Sequence, residues 1–115
     1  MIEQISNGCK IIVTKGGQLL KFYPGLIVSN EGVEMTFDCS KERCISYYLE
    51  YLILIAMFGK NSLNIKLTGV TNDSYDSAVD TIQQHLIPLL KEHYNFDNEL
   101  SMKIVKRGYL PEAGG

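Results

Sequence analysis

Asp73, Asp76 and Asp80 follow one another at spacings of three and four inside "KLTGVTNDSYDSAVDTI", Lys66 to Ile82. Once helical, side chains so spaced share a face, and three carboxylates on one face offer the oxygen ligands that Mg²⁺ takes. The same residues suit a second chemistry. Ser77 with Asp80 has the S-x-x-D form of a capping box, Asp73 or Ser74 can cap an earlier first turn, and acids near a helix N-terminus are favoured by its dipole. Protein-built Mg²⁺ sites usually include substrate phosphates, and no glycine-rich phosphate cradle accompanies these acids. "TKGGQ" lacks the G-x-x-x-x-G-K-[ST] spacing and the terminal "AGG" opens no helix. The balance favours a helix cap at Ser77 and Asp80, and neither a metal nor a nucleotide cofactor is expected.

Other reactive side chains are placed less suggestively. His85 and His93 are eight apart on one helix, too far for an i, i+4 metal pair, and read as a partly buried and a helix-end histidine. Cys39 and Cys44 have no second pair to complete a zinc set, and no G-x-S-x-G is present. Spacing therefore nominates no catalytic group. The electropositive cluster is Lys103, Lys106 and Arg107, joined by Lys41 and Arg43 if the sheet brings the two ends together. It is either a solvated strand edge or a contact for RNA phosphate or an acidic partner.

The elements that must hold these residues fit one compact core. With 115 residues, 45% of them hydrophobic and 21% charged, the chain has the composition of an ordinary globular domain. A net charge of −2 speaks against a strong sequence-independent grip on nucleic acid, which comes from clustered Lys and Arg. Cys9, Cys39 and Cys44 are odd in number and no secretory leader pattern opens the sequence, which implies a reducing compartment, cytosol or nucleus. The longest apolar run, "ISYYLEYLILIAMF", is shorter than the ~20 residues a bilayer requires and reads as a buried helix, so no membrane partner is expected.

"MIEQISNG" predicts the last turns of a helix with a C-cap at Gly8. "CKIIVTKGGQLLKFYPG" predicts a hairpin whose two-residue turn is Gly16-Gly17. "VEMTFDC" alternates, with Val33, Met35, Phe37 and Cys39 inward, and "SLNIKLTG" does the same with Leu63, Ile65 and Leu67. Between them lies the apolar helix, stopped by Gly59. A second helix carries the stripe Val79, Ile82, Leu86, Leu89 and His93, with Pro88 bending it. "LSMKIVKRG" predicts a last strand with Met102 and Ile104 inward. Polar outer strand faces place both helices on one side of the sheet, which makes the fold class α/β of the α+β type, a two-layer sandwich.

Taken together, "ISNGCKIIVTKGGQLLKFYPGLI", "LTGVTNDSYDSAVDTIQQHLIPLL" and "KIVKRGYLPEAGG" resemble the RNA 3′-terminal phosphate cyclase superfamily over nearly the whole chain. Thr71-Asn72-Asp73 and the helix start Asp76-Ser77-Ala78-Val79-Asp80-Thr81-Ile82 are similar to its eukaryotic cyclase-like branch, which serves ribosome biogenesis. Phe37 stands where the family carries a histidine, Met57 departs from an A-P-F, and Ala113 departs from a P-x-G-G-G. The resemblance implies repeated units of two helices on a four-stranded sheet. Residues 1–32 would close one unit with a helix tail and hairpin, and residues 33–115 would form most of the next, its fourth strand missing. The open edge would take the remainder of the protein's own fold or another chain; a stand-alone module is the weaker alternative.

The resemblance also implies function. The cyclase active site draws on an E-G-G-G-Q region, nearby arginines and a C-terminal AMP-accepting histidine, none of which lies in these residues. The expectation is a non-catalytic subunit in small-subunit pre-rRNA processing in the nucleolus. Its partners would be pre-ribosomal proteins, including a processome GTPase, and pre-rRNA. Asp73 and Asp76, with Lys103, Lys106 and Arg107, would be the contact residues. The alternative is an RNA 3′-phosphate cyclase that makes 2′,3′-cyclic ends with ATP.

Overall fold

The computed structural model describes residues 1–28, 33–94 and 100–115, a mixture of helices and short strands. The expected unit boundary at residue 32 lies outside the described residues.

A single helical turn, α1 (Ile2–Ile5), buries Ile5 beside Phe37 and Leu52. It does not reach Gly8: Ser6 is already extended (φ −126°, ψ 143°), and the chain passes directly into β1 (Ser6–Asn7). Gly8, at φ 81°, instead turns the corner into β2 (Lys10–Val13), a left-handed conformation open to glycine. β2 pairs antiparallel with β3 (Leu20–Tyr23), and β1 pairs with β4 (Leu26–Ile27). The hairpin tip holds Gly16 and Gly17 at φ 97° and 69°, but the turn is wider than two residues. Thr14 N–H bonds Leu19 O at 3.0 Å and Thr14 Oγ1 accepts Leu19 N–H at 3.2 Å, so Lys15 to Gln18 form the loop.

β5 (Met35–Asp38), α2 (Ile45–Ala56) and β6 (Ile65–Thr68) form a β-α-β unit in which the strands run parallel, Met35 opposite Ile65 and Asp38 opposite Thr68. Parallel strands need a crossover, and α2 supplies it. Its buried residues Ile45, Leu52 and Ile53 reach both the strands and the second helical segment. Leu54 on the opposite side stays exposed, so the helix is covered less completely than its composition predicts. Val33, expected inward, is also exposed, because the ladder begins only at Met35.

The second helical segment departs from a regular period. α3 (Val79–Thr81) runs into a π turn (Ile82–Leu86), in which Ile87 N–H reaches back to Ile82 O, and then into α4 (Ile87–Tyr94). Pro88 has no N–H to give, and the wider turn immediately precedes it. The extra residue in that turn advances the apolar stripe: Val79, Ile82 and Ile87 are buried, whereas Leu89 is 50% exposed and His93 lies in solvent. The expected stripe through Leu89 and His93 is therefore wrong by one position beyond Leu86.

"LSMKIVKRG" forms no strand ladder, contrary to expectation. Met102 and Ile104 do turn inward onto the core beside Cys39, Cys44, Ile45 and Val79. The alternation is present, but no main-chain ladder joins residues 101–106 to β6, which faces them across a cleft. Its far end is anchored, since Thr71 N–H bonds Gly108 O at 2.8 Å.

Candidate functional site

The segment from Thr71 to Ala78 lies between β6 and α3, which opens with Val79 and Asp80, and has almost no regular structure of its own. Its polar side chains hold it instead. Thr71, nearly fully buried, accepts Gly108 N–H on Oγ1 at 3.2 Å and lies 2.8 Å from Asn72 Oδ1. Asp73 Oδ1 accepts two backbone N–H groups, Tyr75 at 2.9 Å and Asp76 at 2.7 Å, the local bonding that suits aspartate to turns. That turn leaves Tyr75 at its tip, 89% exposed.

Asp76 and Asp80 each hold one arginine from a distant part of the chain. Asp76 Oδ2 accepts Arg43 Nε at 2.8 Å and Cys44 N–H at 3.1 Å, while Oδ1 accepts the second guanidinium nitrogen. Asp80 takes Arg107 in the same forked way, at 2.6 and 2.7 Å. Two-point arginine–carboxylate pairs are directional as well as strong. They fasten the loop to the start of α2 on one side and to the C-terminal segment on the other. Arg43 also lies over the Tyr47 ring, 4.0 Å from its centroid, and Tyr47 meets Tyr48 and Tyr51 edge-on.

Charge states follow the pairing. The bonds from Arg107 hold the Asp80 carboxyl at about 2, against the cost of partial desolvation. Arg43 lowers Asp76 in the same manner, helped by the Cys44 N–H. Both guanidinium groups move further above their ordinary range. Elsewhere, burial raises the Cys39 thiol to about 11, with the charge of Asp38 adding to the effect.

The sequence-nominated residues are thus distributed in a way that changes their meaning. The cap expected from Ser77 and Asp80 does not form: α3 begins after Ala78, whose side chain has no oxygen, no side-chain cap bond occurs there, and Asp80 is engaged by Arg107. Asp73, Asp76 and Asp80 do not converge, since they face a turn, Arg43 and Arg107 respectively. The proposed basic cluster is divided too. Arg107 and Arg43 are neutralised by aspartates, and Lys41 Nζ donates to Pro111 O at 3.1 Å. Lys103 and Lys106 remain exposed, with no carboxylate partner among the described residues. Sequence reasoning missed the clamps because their partners lie 33 and 27 residues apart, and no local spacing reports such a pair.

The sequence model of one family, RNA 3′-terminal phosphate cyclase, matches residues 1–115. The chain is 41% identical over 116 residues to the human RNA 3′-terminal phosphate cyclase-like protein and 35% identical over 115 residues to the probable cyclase-like protein of Dictyostelium discoideum. It is 31% identical over 115 residues to the rRNA processing protein rcl1 of Schizosaccharomyces pombe. Each match takes in 100% of this chain, and the chain spans 30%, 30% and 31% of these relatives respectively. The fold and sequence together define an α+β protein of the cyclase superfamily. This chain belongs to the RNA 3′-terminal phosphate cyclase family, and the relatives it resembles carry the cyclase-like name.

Proposed function

We propose that this chain serves ribosome biogenesis as a non-catalytic, cyclase-like component of small-subunit pre-rRNA processing in the nucleolus, acting through protein contacts and RNA contacts. The observation that carries this reading is the use made of the acids. Asp76 and Asp80 are each occupied by a guanidinium group on both oxygens, so neither is offered as a metal ligand or a general base. What the loop offers outward is Tyr75 with Asp73 beside it, and what the C-terminal segment offers is Lys103 and Lys106. An exposed tyrosine suits a protein partner such as a processome GTPase, and the two lysines suit RNA phosphate. The name of the fission-yeast relative, an rRNA processing protein, points the same way.

The same reading extends to architecture. It takes residues 1–32 as the close of one unit and residues 33–115 as most of a second, each a two-layer sandwich with two helices on a four-stranded sheet. The parallel β5-α2-β6 unit supports it.

A pull-down from nucleolar extract tests the proposal. The chain should recover the processome GTPase and small-subunit pre-rRNA. Tyr75→Ala should reduce the GTPase share, and Lys103→Glu with Lys106→Glu the RNA share. Recovery of neither component sinks the reading. Labelled ATP leaving a stable covalent AMP on the protein would favour a cyclase that makes 2′,3′-cyclic phosphate ends.

A further inference from the structure

Between Glu3 and Glu31 the sequence holds three lysines, Lys10, Lys15 and Lys21, and no acid. That stretch therefore carries a charge of +3 within a chain of net −2. The β2–β3 hairpin gathers this charge and holds it clear of the core, since none of its residues belongs to a buried cluster or packs against one among the described residues.

Pairing sorts the side chains of the hairpin by face. Lys10 stands opposite Tyr23 and Ile12 opposite Lys21, so these four share one face, while Ile11, Val13, Leu20 and Phe22 share the other. Lys10 and Lys21 are diagonal neighbours across the ladder, roughly 7–8 Å apart, and Lys15 stands beyond them in the tip loop. All three lysines are exposed, and none is paired with a carboxylate among the described residues. The nearest acid in sequence, Glu3, accepts Ile11 N–H at 3.3 Å instead. Tyr23, 52% exposed, lies beside Lys10 and makes no ring contact among the described residues. The two faces point opposite ways, so whatever covers the apolar one leaves the cationic one in solution. Lysines also guard exposed strands against edge pairing, but that use places no demand on Tyr23 and does not exclude acids from the rest of the segment.

We infer that the face of the hairpin bearing Lys10, Lys21 and Tyr23 is a docking surface for single-stranded RNA, with the two lysines and Lys15 on its phosphates and a base stacked on Tyr23. Clustered lysines of one sign neutralise a phosphate backbone, and an uncovered aromatic ring is a platform for any base. An acidic peptide has the charge but no base to stack. A duplex keeps its bases stacked inside, out of reach of Tyr23. RNA as the kind of nucleic acid rests on the function proposed above; the surface itself is independent of Lys103 and Lys106.

Fluorescence anisotropy of labelled decauridine with the native chain tests this surface. Binding should weaken as salt rises. Lys10→Gln, Lys15→Gln and Lys21→Gln together should flatten the slope of log K against log salt by about 2, at ~0.7 per phosphate released. The same three substitutions in a Lys103→Glu, Lys106→Glu background should flatten it equally, which separates the hairpin from the C-terminal lysines of the proposed function. Tyr23→Ala should weaken binding about tenfold with the slope unchanged, and Tyr23→Phe should retain native affinity. An RNA duplex and decaglutamate should each bind about tenfold more weakly than decauridine, for want of a base to stack. No binding of decauridine, a slope indifferent to the lysines, an affinity indifferent to Tyr23→Ala, or equal binding of the duplex or of decaglutamate would overturn the inference.

Discussion

At the scale of residues, the acids between Asn72 and Thr81 act as fasteners. Asp76 and Asp80 hold Arg43 and Arg107, and their charge is stabilised by folding. A carboxylate lowered in the folded state contributes stability above its unfolded value, near ~3.9, and loses that contribution as pH falls through its folded value. For Asp80 the window runs from about 4 down to about 2. Over it the unfolded chain binds more protons, so stability should fall as pH falls. A series of melting temperatures across that range should slope less steeply for Asp80→Asn than for the native chain, and identical slopes would refute the clamp. Ser77 gives a contrasting case. Its side chain is exposed and caps nothing, so Ser77→Ala should change unfolding free energy by no more than about 0.5 kcal/mol in urea. A functioning cap would cost about 1 kcal/mol or more.

The second helical segment is the element in which the tertiary structure most alters the reading of the sequence. A strict helical period turns Leu89 inward, yet the π turn at Ile82–Leu86 passes that role to Ile87, which is only 7% exposed. Chemical denaturation of two variants separates these alternatives. Ile87→Ala should cost about 2–5 kcal/mol, as truncation of a buried isoleucine does. Leu89→Ala, at a half-exposed site, should cost well under about 1 kcal/mol. Reversal of the order would mean that the segment keeps a regular α-helical phase. The hairpin turn was legible from Gly16 and Gly17 because positive φ is a local demand, although its width was not. The ladder expected of residues 101–107 failed for a non-local reason: alternation prepares a strand, but only a partner brought within hydrogen-bond distance completes one, and a cleft separates this segment from β6.

As a whole molecule, the chain is looser than its length requires. Its radius of gyration is 15.2 Å, against about 13 Å for a compact chain of this size. The β2–β3 hairpin shows why. Cross-strand pairing places Val13 with Leu20 and Ile11 with Phe22 on one face, and Val13, Leu20 and Phe22 are each about half exposed or more. An apolar hairpin face left in water favours association. Sedimentation should show concentration-dependent self-association of the native chain at micromolar levels. Leu20→Lys with Phe22→Lys should reduce it while leaving the β5-α2-β6 core folded. A native chain that is monomeric throughout would show that this face needs no cover.

The sequence by itself determined the types of most elements and the family. Strand alternation and helical stripes are written in neighbouring residues, and the resemblance rests on quoted segments that the family match covers from end to end. It also marked Asp73, Asp76 and Asp80 as a group with a purpose. Which purpose was decided in three dimensions, where Arg43 and Arg107 arrive from 33 and 27 residues away. The phase of the second helix and the cleft beside β6 were decided there as well. Propensity and periodicity act over a few residues, whereas ion pairs, sheet edges and cavities exist only once distant segments have been packed against one another.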